Sequence, residues 1–280
     1  MSEGAWSLYW AQADGQACLP GMPAVLAGRI EGGWTAFAAG LPAGARVLDI
    51  ATGNGAVLRV MARVRSDLDL TGVDSAQVRD TEGAFRVQGG VPAEALPFAQ
   101  AHFGAVTAQF GLEYCAAAAW REAARILRGG GVLRLVCHHA LSAALVHNRA
   151  RLAAMVAMDA AGMFGLAREM AAGGADDPVR GAAVLAARQA HAQQSIVMEL
   201  PAAIGQALGR PDRGVLVAAI ERQARGEMAR LAAMDAAALD AEALAERLGW
   251  LAAAGVTAEA AVIAGPDGAP FAWDIAGSKG

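Results

Sequence analysis

The sequence predicts an α/β fold: a largely parallel sheet covered by helices, with a further helical segment inserted after the fifth strand. Three observations predict it. Short segments at 47–50, 70–73, 105–109 and 132–137 are apolar on both alternating faces, as strands buried under helices on either side must be. The first of them belongs to the run Val47-Leu48-Asp49-Ile50-Ala51-Thr52-Gly53-Asn54-Gly55-Ala56-Val57, where a strand passes through a glycine turn into a helix that opens near Gly55. Residues 142–233 read as successive helices, punctuated at Gly173-Gly174, Asp176-Asp177-Pro178 and Gly209-Arg210-Pro211-Asp212.

Taken in order, Trp6, Tyr9 and Trp10 fall at helical spacing and give the leader an aromatic face. Gly21-Met22-Pro23 marks a turn, and 24–38 reads as a helix ending near Gly40 and Pro42. Strand one is followed by a helix to about Arg65, strand two by a thin third strand at 84–88, and Glu94-Ala95-Leu96-Pro97-Phe98 by strand four. A helix over 117–127 is expected to stop at Gly129-Gly130-Gly131, which then lead into strand five. Within the inserted segment, helices are expected at 142–172, 178–194, 200–208 and 212–233. A last helix starts near Asp240 and ends at Gly255, before a hairpin of 258–264 and 270–275 around Gly265-Pro266-Asp267-Gly268.

Composition narrows the function class. Of 280 residues, 55% are hydrophobic and the formal net charge is −4, which speaks against the basic face that nucleic-acid binding needs. The acidic start Met1-Ser2-Glu3-Gly4 does not resemble a secretory signal, and the longest apolar stretch, near 152–167, is interrupted by Asp159. Cys18, Cys115 and Cys137 have no paired spacing, which leads to the expectation of a reducing, cytoplasmic setting and no structural metal.

The glycine turn is a nucleotide-type site, and its acids choose the ligand. A dinucleotide fingerprint carries GxGxxG so that pyrophosphate can sit on a helix N-terminus. Here Leu58 stands where the third glycine would be, and Asp49 is expected in the mouth, where it would repel phosphate and suit an ammonium group. Asp74 ends the next strand, placed to accept from two ribose hydroxyls. An amino acid at one end, a nucleoside at the other and no phosphate between describe S-adenosylmethionine.

The words VLDIATGNGAV (47–57), TGVD (71–74), AEALPF (93–98), FGAVTAQFGLEY (103–114) and ARILRGGGVLRLV (124–136) stand in one order. Over about 45–137 the chain resembles class I S-adenosylmethionine-dependent methyltransferases of the ubiquinone/menaquinone-biosynthesis type. The resemblance implies a Rossmann-like sheet of parallel strands closed by a reversed C-terminal hairpin. It also implies cofactor contacts from Asp49, Ala51, Gly53 and Gly55 at the methionine end, Asp74 and Ser75 at the ribose, Ala93 and Glu94 at the adenine edge, and Gln109 and Phe110 as the pocket floor. The chain departs from the pattern in three places. Ala51 stands where many members have glycine, Pro92 where many have an aspartate that bonds adenine, and the stretch from Asp74 to Glu94 is too short for the usual helix plus strand, so that helix is expected to shrink to a turn.

The expected organisation is an N-terminal helical lid (1–40), the cofactor-binding core (41–140), a helical cap (141–238) and the last core helix with its hairpin (239–280). The leader reads as lid or anchor, and the cap as acceptor pocket or homodimer surface; both pairs of readings stand. His138 and His139, directly after strand five, are the candidate bases, with Glu113 behind them. Tyr9, Trp10, Tyr114 and His147 are candidates for the acceptor side. Met155, Met158, Met163 and Met170 lie near helical spacing, which suits a core or a soft apolar pocket. The expected activity is O- or C-methylation of a small apolar or aromatic metabolite, with no nucleic-acid partner and no membrane span. Intramolecular displacement within S-adenosylmethionine and a binding scaffold without turnover are the alternatives.

Overall fold

The computed structural model describes residues 6, 7, 9, 10, 22–78 and 83–280. They form two compact units, one of residues up to 143 together with 236–280, the other of 144–235. In the first, α1 (Ala24–Gly40) leads to β1 (Arg46–Ile50), α2 (Ala56–Val64), β2 (Asp69–Val73), β3 (Arg86–Gln88) and β4 (Phe103–Gln109). A 3-10 turn (Leu112–Tyr114), α3 (Ala117–Ile126) and β5 (Leu127–His138) follow, and α9 (Ala241–Ala253), β6 (Val256–Ala264) and β7 (Pro270–Lys279) complete the unit. The sheet order is β3-β2-β1-β4-β5-β7-β6, parallel through β5, with β7 antiparallel to both β5 and β6.

Strand alternation builds two cores on opposite faces. Leu48, Ile50, Val106, Leu133 and Leu135 pack on one face with Trp120 of α3 and Leu244 and Leu251 of α9. Val47, Ala105 and Val136 pack on the other with Ile30 and Trp34 of α1 and Leu58 and Met61 of α2. α2 opens where predicted, with Gly55 as its N-cap in the left-handed region at φ 77°.

Two expectations for this unit need correction. Gly129-Gly130-Gly131 do not separate α3 from β5. The strand begins at Leu127, paired with Phe103, and the glycines bulge before pairing resumes at Ala105 and Val132. The Lys279 ammonium donates to Ala124 O and Leu127 O, holding the end of α3 that the glycines were expected to mark. The hairpin is longer than read, because β7 pairs with β5 as far as Ser278 and so remains ordered beyond the apolar run. Between β2 and β3, the described residues 74–78 and 83–85 contain no helix, as the shortened spacing implied.

The second unit holds α4 (Ala143–Ala160, which starts at the junction), α5 (Met163–Ala171), α6 (Pro178–Ala190), α7 (Ile196–Leu208) and α8 (Arg213–Ala237). The helix expected over 142–172 is two helices, because Gly162 turns left-handed at φ 90° and ends the run. Asp177 caps α6, its carboxylate accepting from the Val179 and Arg180 amides, and Pro178 occupies the first turn, where no amide is needed. Met155, Met158, Met163 and Phe164 are buried in this unit's own core with Leu200 and Ile204. Among the described residues no single helix is long and apolar enough to cross a membrane.

Candidate functional site

A cleft of about 870 Å³ opens at the carboxyl ends of β1, β2 and β4. This is where ligands of open α/β sheets bind. Asp74, Ser75, Pro92, Ala93 and Glu94 form one side, Ala51, Phe110 and Gly111 the floor, and Trp6, Trp10, Tyr114 and Cys115 the rest of the wall.

Asp74 follows β2 directly. Its Oδ2 accepts from the Gly53 amide at 2.7 Å and its Oδ1 from the Ala76 amide at 2.8 Å, so the carboxylate is fixed in orientation while still lining the cleft. Burial raises its pKa, and the two amide bonds pull the other way. Each carboxylate oxygen keeps a second lone pair, so the pair can still accept from two hydroxyls.

Asp49 is placed differently from expectation. It faces the α1/α2 side of β1, 1% exposed, and is not part of the cleft wall. Its two oxygens accept from Thr52 Oγ1 at 2.6 Å and Thr107 Oγ1 at 2.7 Å. Burial pushes its pKa up to about 7 against the pull of both hydroxyls, with the Asp74 charge adding to the rise. Asp49 therefore holds the turn from beneath. The alternation that points Leu48 and Ile50 to one core points Asp49 away from this cleft.

The same alternation divides Gln109 from Phe110. Phe110 floors the cleft, whereas Gln109 lies on the α1/α2 side with its Oε1 accepting from Trp34 Nε1 at 2.6 Å. Ala51 and Phe110 both take left-handed backbone at φ 53°, unusual for residues with a side chain. Space for Ala51 comes from Gly111, where a Cβ would run into the Ala51 methyl. The alanine that replaces the customary glycine is thus matched by a glycine across the cleft floor. Gly55 shapes the helix start and packs against Phe85 rather than facing the cleft.

The histidines also need correction. His138 is buried, its ring stacked on Phe110 at 4.5 Å between centroids, and it is not part of the cleft wall. Burial depresses its pKa to about 3, so the ring is a neutral packing group. His139 projects to the other sheet face, stacks on Trp273 at 4.5 Å and accepts from the Leu141 amide through Nδ1. Glu113 is buried, with Oε1 accepting from the His138 amide at 2.9 Å, and burial raises its pKa to about 7. None of the three reaches the cleft. His147 belongs to the helical unit, where its side chain is exposed.

Of the leader, Trp10 packs on Gly53, and Asn54 Nδ2 donates to its carbonyl at 3.3 Å. Trp6 meets Tyr114 edge-on at 5.5 Å. Tyr9 touches both tryptophans but does not line the cleft. Trp6, Val91, Gly111 and Cys115 also line the cleft without having been among the expected site residues; the aromatic spacing of 6, 9 and 10 was the signal available for the first.

A family model described as a methyltransferase domain matches residues 48–135, the stretch that builds this cleft. The fold is that of a class I methyltransferase. S-adenosylmethionine is the cofactor of this methyltransferase domain, and the cleft fits it: small side chains at Val91 and Ala93 leave room between the Asp74 carboxylate and the aromatic floor. Structural likenesses are distant. A chain in a complex of the Haloferax volcanii Trm112 methyltransferase activator is 22% identical, with 51% of this chain and 63% of that one covered at a TM-score of 0.36. The Bacillus subtilis YcgJ protein is 18% identical, with 90% and 98% covered at 0.38. The cyclase SpnF is 17% identical, with 96% and 85% covered at 0.43. The chain spans about half to two thirds of the length of several such structures, and scores this low add nothing to the assignment. No curated protein matches the sequence.

Proposed function

We propose that this protein transfers a methyl group from S-adenosylmethionine to oxygen or carbon of a small, largely apolar acceptor. The observation that carries this reading is the Asp74 carboxylate, locked by two backbone amides at the wall of an otherwise mostly apolar cleft. Such a group recognises vicinal hydroxyls and disfavours phosphate. Asp74 would hold the nucleoside end of S-adenosylmethionine, which would supply an electrophilic methyl group on positively charged sulfur.

The chain's own residues bind and position. Phe110 and Gly111 shape the floor, Asp74 fixes the nucleoside end, and Trp6, Trp10 and Tyr114 cover the opposite side. Cys115 is held as a thiol, its pKa pushed up to about 12 by burial first and then by neighbouring carboxylates. With His138, His139 and Glu113 away from the cleft, the reading favours acceptors that are acidic in their own right, such as phenols and enolisable carbonyl compounds. Calorimetry with S-adenosylhomocysteine tests it. Asp74→Ala should weaken binding by about 10- to 100-fold, the scale of about 1.5–3 kcal/mol for hydrogen bonds to a charged group; unchanged affinity would put the nucleoside elsewhere.

A further inference from the structure

The sheet unit holds a second cleft, of about 620 Å³, between α1 and α2. Met22, Ile30, Val57 and Val60 make it apolar, and Trp34 and Gln109 lie in its wall. The Gln109 amide is held in one orientation. An indole N–H can only donate, so the bond from Trp34 Nε1 fixes Oε1 on the tryptophan and turns the amide nitrogen away from it. Among the described residues no acceptor reaches that nitrogen.

Trp34 is itself held. The Arg134 guanidinium stacks on its ring at 4.4 Å and is clamped by two bonds to Asp274, at 2.9 and 2.7 Å. Arg134 is 7% exposed, so a buried, paired cation stands behind the group that orients Gln109. Three charged side chains share the wall and are themselves engaged, Arg63 paired with Glu31 and Arg59 donating to the Asn54 carbonyl. The ligand chemistry this describes is uncharged and largely apolar, with one oxygen acceptor for the amide N–H.

Position gives the cleft its role. Gln109 and Phe110 are consecutive residues at the end of β4, one facing this cleft and the other flooring the cofactor cleft. Ala56 and Val57, also in its wall, come directly after the glycine turn. We propose that the α1/α2 cleft is the site of the methyl acceptor, a neutral aromatic or apolar molecule whose oxygen takes a hydrogen bond from the Gln109 amide. This rests on the methyltransferase reading above.

The test uses the full chain and 2-naphthol as the probe, a flat neutral ring system with one oxygen. Ala27 is exposed on α1 with its side chain at the cleft, so Ala27→Trp fills the cleft from a position that tolerates size. Naphthol binding, followed by its fluorescence, should weaken at least tenfold in Ala27→Trp and about fivefold or more in Gln109→Leu, with S-adenosylhomocysteine affinity within twofold of the parent. Turnover against a panel of phenols and enolisable ketones should lose at least tenfold in kcat/KM in Ala27→Trp with the KM for S-adenosylmethionine unchanged. Naphthol that binds both proteins equally, or neither at millimolar concentration, overturns the proposal, as does lost naphthol binding with intact turnover. A parent protein that fails to bind S-adenosylhomocysteine sinks the methyltransferase reading instead, and the naphthol measurement, which needs no cofactor, separates the two failures.

Discussion

The turns after β1 and β2 lie side by side, and each carries an aspartate, yet the two carboxylates do different work. Asp74 takes its hydrogen bonds from backbone amides and keeps one edge on the cleft. Asp49 takes its bonds from two threonine hydroxyls and keeps no edge on the cleft at all. The difference is one of parity: Asp49 is inside its strand, where alternation aims it at the α1/α2 layer, while Asp74 comes after its strand has ended. Two acids that look equivalent in sequence are therefore one buried beneath the turn and one lining the cleft.

The largest effect should break this comparison cleanly if it is wrong. Asp49→Ala leaves the Thr52 and Thr107 hydroxyls buried without their acceptor, and should cost about 3 kcal/mol of stability in urea denaturation, at about 1–3 kcal/mol for each stranded group. Asp74→Ala should instead show its main effect on S-adenosylhomocysteine affinity. A variant at 49 that unfolds normally but loses the cofactor would reverse the assignment of support and contact.

A second test concerns the cleft floor that both turns meet. Gly111→Ala should lower stability by about 1–3 kcal/mol, the range for forcing an extra methyl into a packed site. Adding Ala51→Gly should recover most of that loss, because the two methyls compete for one space. Additive losses in the double variant would show that Ala51 and Gly111 are not matched.

The smallest effect is in pH. Asp49 and Glu113 stand at about 7 in the fold against ordinary values of 3.8 and 4.5, so the folded chain holds protons that the unfolded chain has released. The stability they contribute is complete below the ordinary values and is lost as pH rises towards 7. His138 runs the other way: its folded value of about 3 lies below 6.5, so its contribution is present above 6.5 and is lost as pH falls. Two carboxyls oppose one imidazole, and Tm should decline from about pH 5 to about pH 8. Glu113→Gln should flatten that slope, and an unchanged slope would show that Glu113 does not hold its proton in the fold.

Much of this architecture was legible because it rests on local pattern. Val47 to Ile50, the glycine turn and the gap between Asp74 and Glu94 foretold β1, the start of α2 and the absence of a helix among the described residues before β3. Phe110 lines the cleft, as a residue just past a strand end is placed to do. What escaped was direction. Gln109 and Phe110 are neighbours in sequence with opposite faces, and the left-handed backbone at Phe110 that re-aims the chain has no glycine to announce it. The histidines were misread for a related reason: position at a strand end shows nearness to a site, while stacking of His138 on Phe110 and of His139 on Trp273 is decided by partners distant in sequence. The triple glycine misled because it resembled a stop, although β5 carries it as a bulge.

The chain leaves the sheet unit and returns to it through one narrow gap. Leu239 donates its amide to the His138 carbonyl and accepts from the Ala140 amide, so departure and return are zipped together as a short parallel bridge. Whatever is spliced between them need only present two ends a few ångströms apart. The sheet's register, its cofactor cleft and the cleft between α1 and α2 are all specified outside that splice. The helical unit is thus joined to the sheet like a plug-in module, whose length leaves the pairing of its two ends unchanged.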